Sequence, residues 1–314
     1  MRVIRLEQGR IVAGGPELVK PGAVTWIDAA PNPEDIAFVG DKFKFHPLAL
    51  EDAAHQDQRP KLEQYGPGMA LAVVHRLQPA PDESEVVALE IDSFLTPEAL
   101  VTFHAAPIAE IDRVFARCTE DRELLARGPD FVLYLLYDAL TDIHYALVDA
   151  FTAEIELIFD DVAAHEHAQD SELLERIVSA RRAHALLRRR LSPQREVFGG
   201  LARPGQTIVK DQNAVYFRDV LDHTVRLTDE IDTGRDLLAS AMDAYLSYNN
   251  NRLSAVTARL TVVASIFLPL NFIAGFFGMN LEIIRPDLAV PLVIASVIAF
   301  PAAMYFFFKR RRLL

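Results

Sequence analysis

The sequence has 314 residues, enough for one large domain or two ordinary ones, and 51 % of them are hydrophobic, with a mean hydropathy of +0.12. The net charge of -12 argues against nucleic acid as the main partner, because binding to phosphates needs a basic face. The single cysteine, Cys118, excludes an intramolecular disulfide and a CxxC metal cluster, and it is typical of a chain whose bulk lies in a reducing compartment.

Residues 1–128 are predicted to form a cytoplasmic α/β sandwich domain. The segment from Met1 to Gly15 contains no long apolar stretch, so it is not expected to be a secretory signal. Short β-branched or aromatic runs, separated by Pro and Gly, indicate strands alternating with helices. The clearest of these runs are Ala23–Ile27, Ala70–His75, Val86–Phe94 and Leu100–Phe103.

Residues 129–206 are predicted to form an antiparallel helix pair in the cytoplasm. The stretch Phe131–Ile158 lacks both Pro and Gly, which favours one long helix. Acidic residues dominate Glu154–Glu175, and arginines follow from Arg176 to Arg190. This charge pattern predicts two antiparallel helices of opposite charge, whose charged faces we interpret as solvated rather than as a ligand site.

Residues 207–259 are predicted to form a stalk helix. No proline occurs between Thr207 and Pro269, and a helix of about sixty residues is roughly 90 Å long at about 1.5 Å per residue. Such a helix is much longer than those of globular domains, and its sequence continues directly into an apolar run. We therefore expect the first membrane span to be the upper part of a cytoplasmic stalk.

Two uncharged runs near the C-terminus predict a hairpin through the membrane. Residues 260–277 form the first predicted transmembrane helix and residues 288–308 the second, each of about the length that crosses a hydrocarbon core. Residues 278–287 between them are too few for more than a short external loop.

Basic residues predict the orientation of this hairpin. Arg252 and Arg259 precede the first span, and the tail of residues 309–314 is basic. Because basic residues concentrate on the cytoplasmic side, both termini are expected in the cytoplasm. The simplest interpretation of the basic tail is an anchor for this topology.

One face of the first predicted span is small or polar. A two-span hairpin cannot enclose a water-filled path, so a pore requires several copies around an axis. Small residues also favour simple helix packing, and both interpretations stay open on this evidence. Spacings of three and four residues place on this face Ser254, Thr257, Thr261, Ala264 or Ser265, Leu268, Asn271, Gly275 and Gly278.

The end of the first span carries Phe277-Gly278-Met279-Asn280, followed by Leu281-Glu282, and this resembles the Gly-Met-Asn signature of the CorA magnesium and cobalt transporters. Further stretches resemble the same family in the same order along most of the chain. They are Trp26-Ile27-Asp28, His46-Pro47-Leu48 with Glu51-Asp52, Arg59-Pro60-Lys61, Tyr216-Phe217-Arg218-Asp219-Val220 with Asp222-His223, and Ile266-Phe267-Leu268-Pro269-Leu270.

The resemblance implies a homopentameric funnel in the cell inner membrane, with the stalk helix of each subunit lining a pore for Mg²⁺, and also for Co²⁺ or Ni²⁺. It implies passive flow driven by the membrane potential and no cofactor other than the ion itself. By the same resemblance the selectivity filter is Gly278, Met279 and Asn280, and the pore-loop acid is Glu282. The hydrophobic gate is Leu260 with Leu268. The residues that line the pore are Ser254, Thr257, Thr261, Leu268, Asn271 and Gly275.

The resemblance also implies regulation, since in this family cytoplasmic Mg²⁺ bound between subunits by acidic residues holds the pore shut. Asp219 matches one such acid, although an ordinary solvated helix acid is the alternative interpretation. Its partner is expected near Asp82, Glu83 and Glu85.

Two other functions remain open on the sequence. One is a Zn²⁺, Co²⁺ or Ni²⁺ transporter of the same superfamily, and the other is a cytoplasmic sensor or enzyme that the hairpin only tethers to the membrane. Transport is favoured over catalysis, because no nucleophile with its base and no Gly-rich phosphate loop rises above chance.

Overall fold

The computed structural model describes residues 1–80, 86–164, 171–280 and 286–310. The chain divides into two compact units. The first unit comprises Met1–Asp161 and Ser171–Ala241, and the second comprises Val162–Asp170 and Met242–Leu314.

A seven-stranded sheet forms the centre of the first unit. Its spatial order is β2-β1-β3-β7-β6-β5-β4, with β3 and β7 parallel and the other neighbours antiparallel. The strands are β1 (Arg2–Glu7), β2 (Arg10–Gly14), β3 (Thr25–Ala29), β4 (Lys61–Gln64), β5 (Ala70–Pro79), β6 (Val86–Leu95) and β7 (Ala99–Phe103).

Helices account for most of the remaining described residues. In chain order they are α1 (Pro33–Phe43), α2 (Pro47–His55), α3 (Ala109–Glu120), α4 (Arg122–Ala126), α5 (Pro129–Ala163), α6 (Ser171–Leu191), α7 (Gln194–Leu201), α8 (Asp211–Asn280) and α9 (Pro286–Arg310). Pro33 and Pro47 begin α1 and α2 at the first helical position, where a missing N–H is not needed by the helix.

Both faces of the sheet are covered by helices. Leu71 and Val73 of β5 belong to one buried apolar cluster, which includes residues of α1 and α2. Ala72 and Val74 belong to the cluster on the opposite face, which includes residues of α3, α5, α7 and α8. Because side chains along a strand alternate between faces, β5 contributes to both cores. The sheet is thus covered by helices on both faces, as expected for an α/β sandwich, and α5, α7 and α8 from beyond residue 128 contribute to one of its two cores.

A buried polar network joins β3 to β7 in this core. The indole N–H of Trp26 donates to Thr102 Oγ1 at 3.1 Å, and that hydroxyl donates to Asp28 Oδ1 at 2.6 Å. Arg2 Nε donates to Asp28 Oδ2 at 2.9 Å, and His104 Nε2 lies 3.1 Å from Asp28 Oδ1. Burial alone raises the pKa of Asp28, but the bonds from His104 and Thr102 and the charge of Arg2 outweigh it and lower the pKa.

Ion pairs link α6 to α5 and to α8. Arg176 of α6 contacts Glu154 at 3.0 Å and Asp161 at 2.6 Å, both on α5. Arg188 of α6 contacts Asp232 of α8 at 2.6 Å. The acidic and basic stretches of the sequence therefore meet across neighbouring helices, with the modest stabilisation that partly exposed ion pairs provide.

Two described helices contain an 18-residue window apolar enough to cross a membrane. The window in α5 is 61 % buried, which is typical of a core helix. The window in α8, within Asp211–Phe276, is only 6 % buried. Its exposed side chains include Leu268 at 70 % and Phe272 at 73 % exposure, whereas Val262 is 4 % exposed. An apolar surface of this extent needs lipid or another protein surface to cover it.

Candidate functional site

Three potential metal ligands come together where α5 lies beside α8 in the first unit. Asp219 and His223 are one turn apart on α8, and His223 Nε2 lies 3.9 Å from Asp219 Oδ1. Asp138 of α5 supplies a second carboxylate. The ligand atoms of Asp138, Asp219 and His223 all lie within 4.8 Å of one another. We call these three residues the acidic cluster.

The electrostatics of the acidic cluster favour a cation. Burial raises the pKa of Asp138, and the negative charges of Asp142 and Asp219 raise it further. Burial, followed by the charges of Asp138 and Asp219, likewise raises the pKa of the neighbouring Tyr134 hydroxyl. Burial is the larger cause of both shifts, and the neighbouring carboxylates add a repulsion that a bound cation would relieve.

The His223 ring adds a nitrogen donor to the two carboxylates. Its Nδ1 atom is buried and has no hydrogen-bond partner among the described residues, while the Tyr145 hydroxyl donates to the His223 backbone carbonyl at 3.3 Å. Carboxylate oxygens suit Mg²⁺, and an added imidazole nitrogen suits Co²⁺, Ni²⁺ or Zn²⁺. The cluster can therefore hold a divalent ion through one to three protein ligands.

The predicted partners of Asp219 cannot be compared with this geometry. Asp82, Glu83 and Glu85 lie outside the described residues. The sequence analysis missed Asp138 as a neighbour of Asp219. The only signal in the sequence was a polar face on the predicted helix around Asp138, because the two residues meet through tertiary packing rather than through spacing in the sequence.

The predicted pore face lies in the second unit, on the apolar part of α8. The predicted gate residues Leu260 and Leu268 are 65 % and 70 % exposed. Of the pore face, Ser254, Thr257, Thr261, Asn271 and Gly275 are exposed as well. A Cβ added at Gly275 would meet no atom within 4 Å. Within the described part of the chain, this stretch of the face is therefore open to another copy or to water.

Hydroxyl groups on this face bind the helix backbone. Thr261 Oγ1 donates to the Thr257 carbonyl at 2.8 Å, and Ser265 Oγ donates to the Thr261 carbonyl at 2.7 Å. One turn later, Pro269 has no N–H to offer the Ser265 carbonyl. Polar backbone and side-chain atoms thus accumulate along one stretch of an otherwise apolar helix.

The predicted selectivity filter lies at the end of α8. Gly278, Met279 and Asn280 are the last three residues of the helix, which ends at Asn280. The pore-loop acid Glu282 lies outside the described residues. The signature therefore directly follows the exposed apolar segment.

Comparison with protein families gives an extensive match. The sequence model of the family described as CorA-like Mg²⁺ transporter protein matches residues 21–310. The cobalt/magnesium transport protein CorA of Thermotoga maritima is 31 % identical over 295 residues, which cover 92 % of this chain and 83 % of that protein.

Solved structures with the same fold cover nearly the whole chain. The complete structure of the CorA magnesium transporter from Methanocaldococcus jannaschii aligns with a TM-score of 0.83 at 21 % identity, covering 99 % of this chain and 98 % of that one. The structure of the full-length CmaX protein aligns with a TM-score of 0.79 at 20 % identity, covering 99 % and 97 %. At these identities the likeness establishes the shared fold, a mixed sheet with helices followed by a long helical stalk.

Proposed function

Since the chain belongs to the CorA-like Mg²⁺ transporter family, and is therefore a membrane transporter of divalent metal ions rather than an enzyme, we propose that it conducts Mg²⁺ into the cytoplasm. Co²⁺ and Ni²⁺ would share the path. A divalent ion that crosses about 100 mV gains roughly 4.6 kcal/mol, at about 2.3 kcal/mol per charge, so the membrane potential suffices as the driving force. The observation that carries the proposal is the exposed apolar segment of α8, which ends in Gly278-Met279-Asn280.

The pore in this proposal is built by five copies of the chain. The exposed face of α8 that carries Thr257, Thr261 and Asn271 lines the axis, and α9 completes a hairpin with both termini in the cytoplasm. Exposed apolar residues on the other sides of α8, such as Phe267 and Phe272, face lipid or neighbouring helices. A chain with two spans needs such an assembly, because it cannot surround water alone.

Selection is assigned to the external end of the apolar segment, and gating to its cytoplasmic half. A ring of Asn280 amides at the external mouth hydrogen-bonds to the water shell of Mg²⁺, which this ion gives up reluctantly. Met279 and Gly278 fix the position of that ring, and Glu282 adds negative charge beside it. Leu260 and Leu268, both largely exposed in the single chain, form hydrophobic constrictions that close the path when they lose water.

Regulation is assigned to the acidic cluster. Cytoplasmic Mg²⁺ bound at Asp138, Asp219 and His223 neutralises the repulsion between the two carboxylates and stabilises the closed pore. When cytoplasmic Mg²⁺ falls, the ion leaves and repulsion between the carboxylates returns. Asp82 and Glu85 of the sequence-based hypothesis would add further ligands in the assembled transporter.

Uptake into liposomes tests the transport proposal. The purified protein is reconstituted into vesicles that contain a Mg²⁺-sensitive dye, and an inside-negative potential of about 100 mV is imposed. We expect potential-driven Mg²⁺ uptake by the wild type and its loss in Asn280→Ala. Asn251→Ala is the matched control, since it removes an exposed asparagine from α8 outside the predicted pore face, and it should leave uptake unchanged.

A second candidate is a Zn²⁺, Co²⁺ or Ni²⁺ transporter of the same superfamily. The observation that favours it is the imidazole of His223 in the acidic cluster, because nitrogen ligands suit these ions better than Mg²⁺. The same vesicles decide between the two: entry of Zn²⁺ or Ni²⁺ without entry of Mg²⁺ would replace the Mg²⁺ proposal with this one.

A further inference from the structure

A basic cleft lies between α6 and α8 in the first unit, away from the acidic cluster. Its volume is about 450 Å³. Four arginines line it, Arg181, Arg188 and Arg189 from α6 and Arg235 from α8, around the side chains of His184 and Leu238. The proposed transport function gives this cleft no role.

The arginines of this cleft outnumber the carboxylates that pair with them. Arg188 pairs with Asp232 at 2.6 Å, and Arg235 pairs with Asp236 at 3.0 Å. In the part of the chain that the structure describes, no carboxylate lies within 4.0 Å of the Arg181 or Arg189 guanidinium. The cleft therefore has two uncompensated positive charges in a chain whose net charge is -12.

A favourable interaction with the end of α6 does not account for this arrangement. Arg188 and Arg189 lie in the last turn of α6, where cations are stabilised by the helix dipole. Arg181, however, lies in the middle of that helix, and Arg235 belongs to α8. Helix-end electrostatics falls off within one turn, so it cannot explain why these two arginines face the same cleft.

The inner wall of the cleft is formed by two buried side chains. His184 is 4 % exposed and Leu238 is 1 % exposed. A Cβ at Gly234 would lie 3.2 Å from His184 Nε2, so the α8 backbone closely approaches the imidazole ring. Burial, together with the charges of Arg235 and Arg188, lowers the pKa of His184, which leaves its ring neutral. The positive charge of the cleft therefore comes from arginines, which stay charged at any physiological pH.

We propose that this cleft binds a small polyanion that carries two or more phosphoryl groups. Planar guanidinium groups match phosphate oxygens through paired hydrogen bonds, and several of them around one cavity suit a ligand with several negative groups. A cleft of 450 Å³ has room for more than one phosphoryl group. The ligand would contact α6 through Arg181 and Arg189 and α8 through Arg235.

Binding of pyrophosphate to the full-length protein tests this proposal. Titration calorimetry is done in detergent, after removal of divalent metal, with wild type, with the double variant Arg181→Gln/Arg189→Gln, and with Arg182→Gln. Arg182 is the matched control because it is exposed on α6 next to Arg181 but does not line the cleft. We expect the double variant to bind pyrophosphate at least about tenfold more weakly than wild type, because it loses charged hydrogen bonds that contribute about 1.4 kcal/mol in total. The control should bind pyrophosphate within about twofold of wild type.

Three results would overturn the proposal. They are no binding of pyrophosphate by the wild type at millimolar concentration, equal weakening by Arg182→Gln, and binding of citrate as tight as that of pyrophosphate, since citrate offers carboxylates only. Arg181 and Arg189 are exposed, so the double variant should unfold at the same temperature as the wild type. If it does not, Arg235→Gln replaces it and must show the same loss of affinity.

Discussion

At the scale of single residues, two buried carboxyl groups in β6 dominate the electrostatics of the sheet. Glu90 is 8 % exposed and Asp92 is fully buried, and the two point to the same side of the strand. The backbone N–H of Gln58 donates to Glu90 Oε2 at 2.7 Å, and the Gln56 side chain donates to Asp92. Burial, together with the negative charge of Glu90 and the hydrogen bond that the protonated Asp92 carboxyl donates to Glu90, raises the pKa of Asp92 to about 8. The pair therefore holds a proton at neutral pH.

This pair predicts a pH dependence of stability. Because the folded-state pKa of Asp92 is raised from 3.8 to about 8, the folded protein keeps a proton that the unfolded chain releases. Stability from this group is greatest below pH 4 and falls as the pH rises through 8. We expect Asp92→Asn, which keeps the shape of the side chain without a charge, to raise the midpoint of thermal unfolding at pH 8.5 by a few degrees, at about 2–4 °C per kcal/mol.

Thermal unfolding at two pH values checks this expectation. At pH 5.5 the amide introduced by Asp92→Asn replaces a protonated carboxyl, so the stabilisation relative to wild type should be much smaller than at pH 8.5. Asp41→Asn serves as the control, because Asp41 is 83 % exposed and its change should have the same small effect at both pH values. A pH-independent difference between Asp92→Asn and wild type would refute the raised pKa.

The acidic cluster predicts a loss of feedback inhibition. Asp219→Asn removes the charge of one ligand, so Mg²⁺ should bind the cluster more weakly and close the transporter less readily. We expect the internal Mg²⁺ concentration that halves uptake to rise about tenfold or more, as for the loss of roughly 1.4 kcal/mol of binding free energy. Asp222→Asn is the matched control, since Asp222 lies on the same turn of α8 outside the cluster. Equal shifts in both variants would mean that general surface charge, and not the cluster, sets the inhibition.

At the scale of secondary-structure elements, close packing of α7 against the edge strand β4 depends on one glycine. A Cβ at Gly200 would overlap Leu62 Cδ2, whereas a Cβ at Gly199 would meet its nearest neighbour, Leu221, at 4.0 Å. Both glycines are in α7, where alanine is the better helix former by about 1 kcal/mol. The two positions therefore separate packing from helix propensity.

The prediction is that alanine has opposite effects at these two adjacent positions. Gly199→Ala should raise the free energy of unfolding by up to about 1 kcal/mol through helix propensity. Gly200→Ala should lower it relative to Gly199→Ala by about 1–3 kcal/mol, because the added methyl displaces Leu62. Chemical denaturation of the purified protein measures both values. Similar stability of the two variants would show that Leu62 moves aside without loss.

Strands with a strong apolar signal could be predicted from the sequence, and polar edge strands could not. The predicted run Ala70–His75 lies within β5, and Val86–Phe94 lies within β6, because both are rich in buried apolar residues. The edge strand β4 has the sequence Lys-Leu-Glu-Gln, which carries no such signal. The hairpin between β1 and β2 was also missed, because its two-residue turn is Gln8-Gly9, with φ of 48° and 75°, rather than the Asn-Gly expected of such a turn.

Some residues of the candidate site could likewise be predicted from the sequence, and others could not. The Gly278-Met279-Asn280 signature and the periodic face of α8 are continuous in the sequence, so they could be recognised directly. The nearness of Asp138 to Asp219 arises from the packing of α5 beside α8, which no local pattern encodes. Aromatic residues from both helices make that packing specific, with the Tyr134 and Tyr216 rings 4.9 Å apart.

At the scale of the whole molecule, the proposal depends on which side of α8 faces another copy of the chain. Leu268 and Val263 are both exposed, at 70 % and 52 %, but they lie on different sides of the helix, about 140° apart at roughly 100° per residue. In the proposed pentamer Leu268 faces the axis, where identical residues of neighbouring copies approach each other, and Val263 does not. Burial in one chain cannot distinguish these surroundings, because lipid and a second copy both cover apolar residues.

Disulfide cross-linking distinguishes a residue that faces another copy of the chain from one that faces lipid. In a Cys118→Ser background, which removes the only native cysteine, Leu268→Cys should form dimers covalently linked between copies when mild oxidant is added to membranes, and Val263→Cys should stay monomeric on a denaturing gel. Native mass spectrometry of the uncross-linked protein should give about five times the 35.1 kDa of one chain. If Val263→Cys cross-links and Leu268→Cys does not, the polar face of α8 does not line the axis. The pore lining would then have to be sought on another face, although the membership of the divalent-metal transporter family would stand.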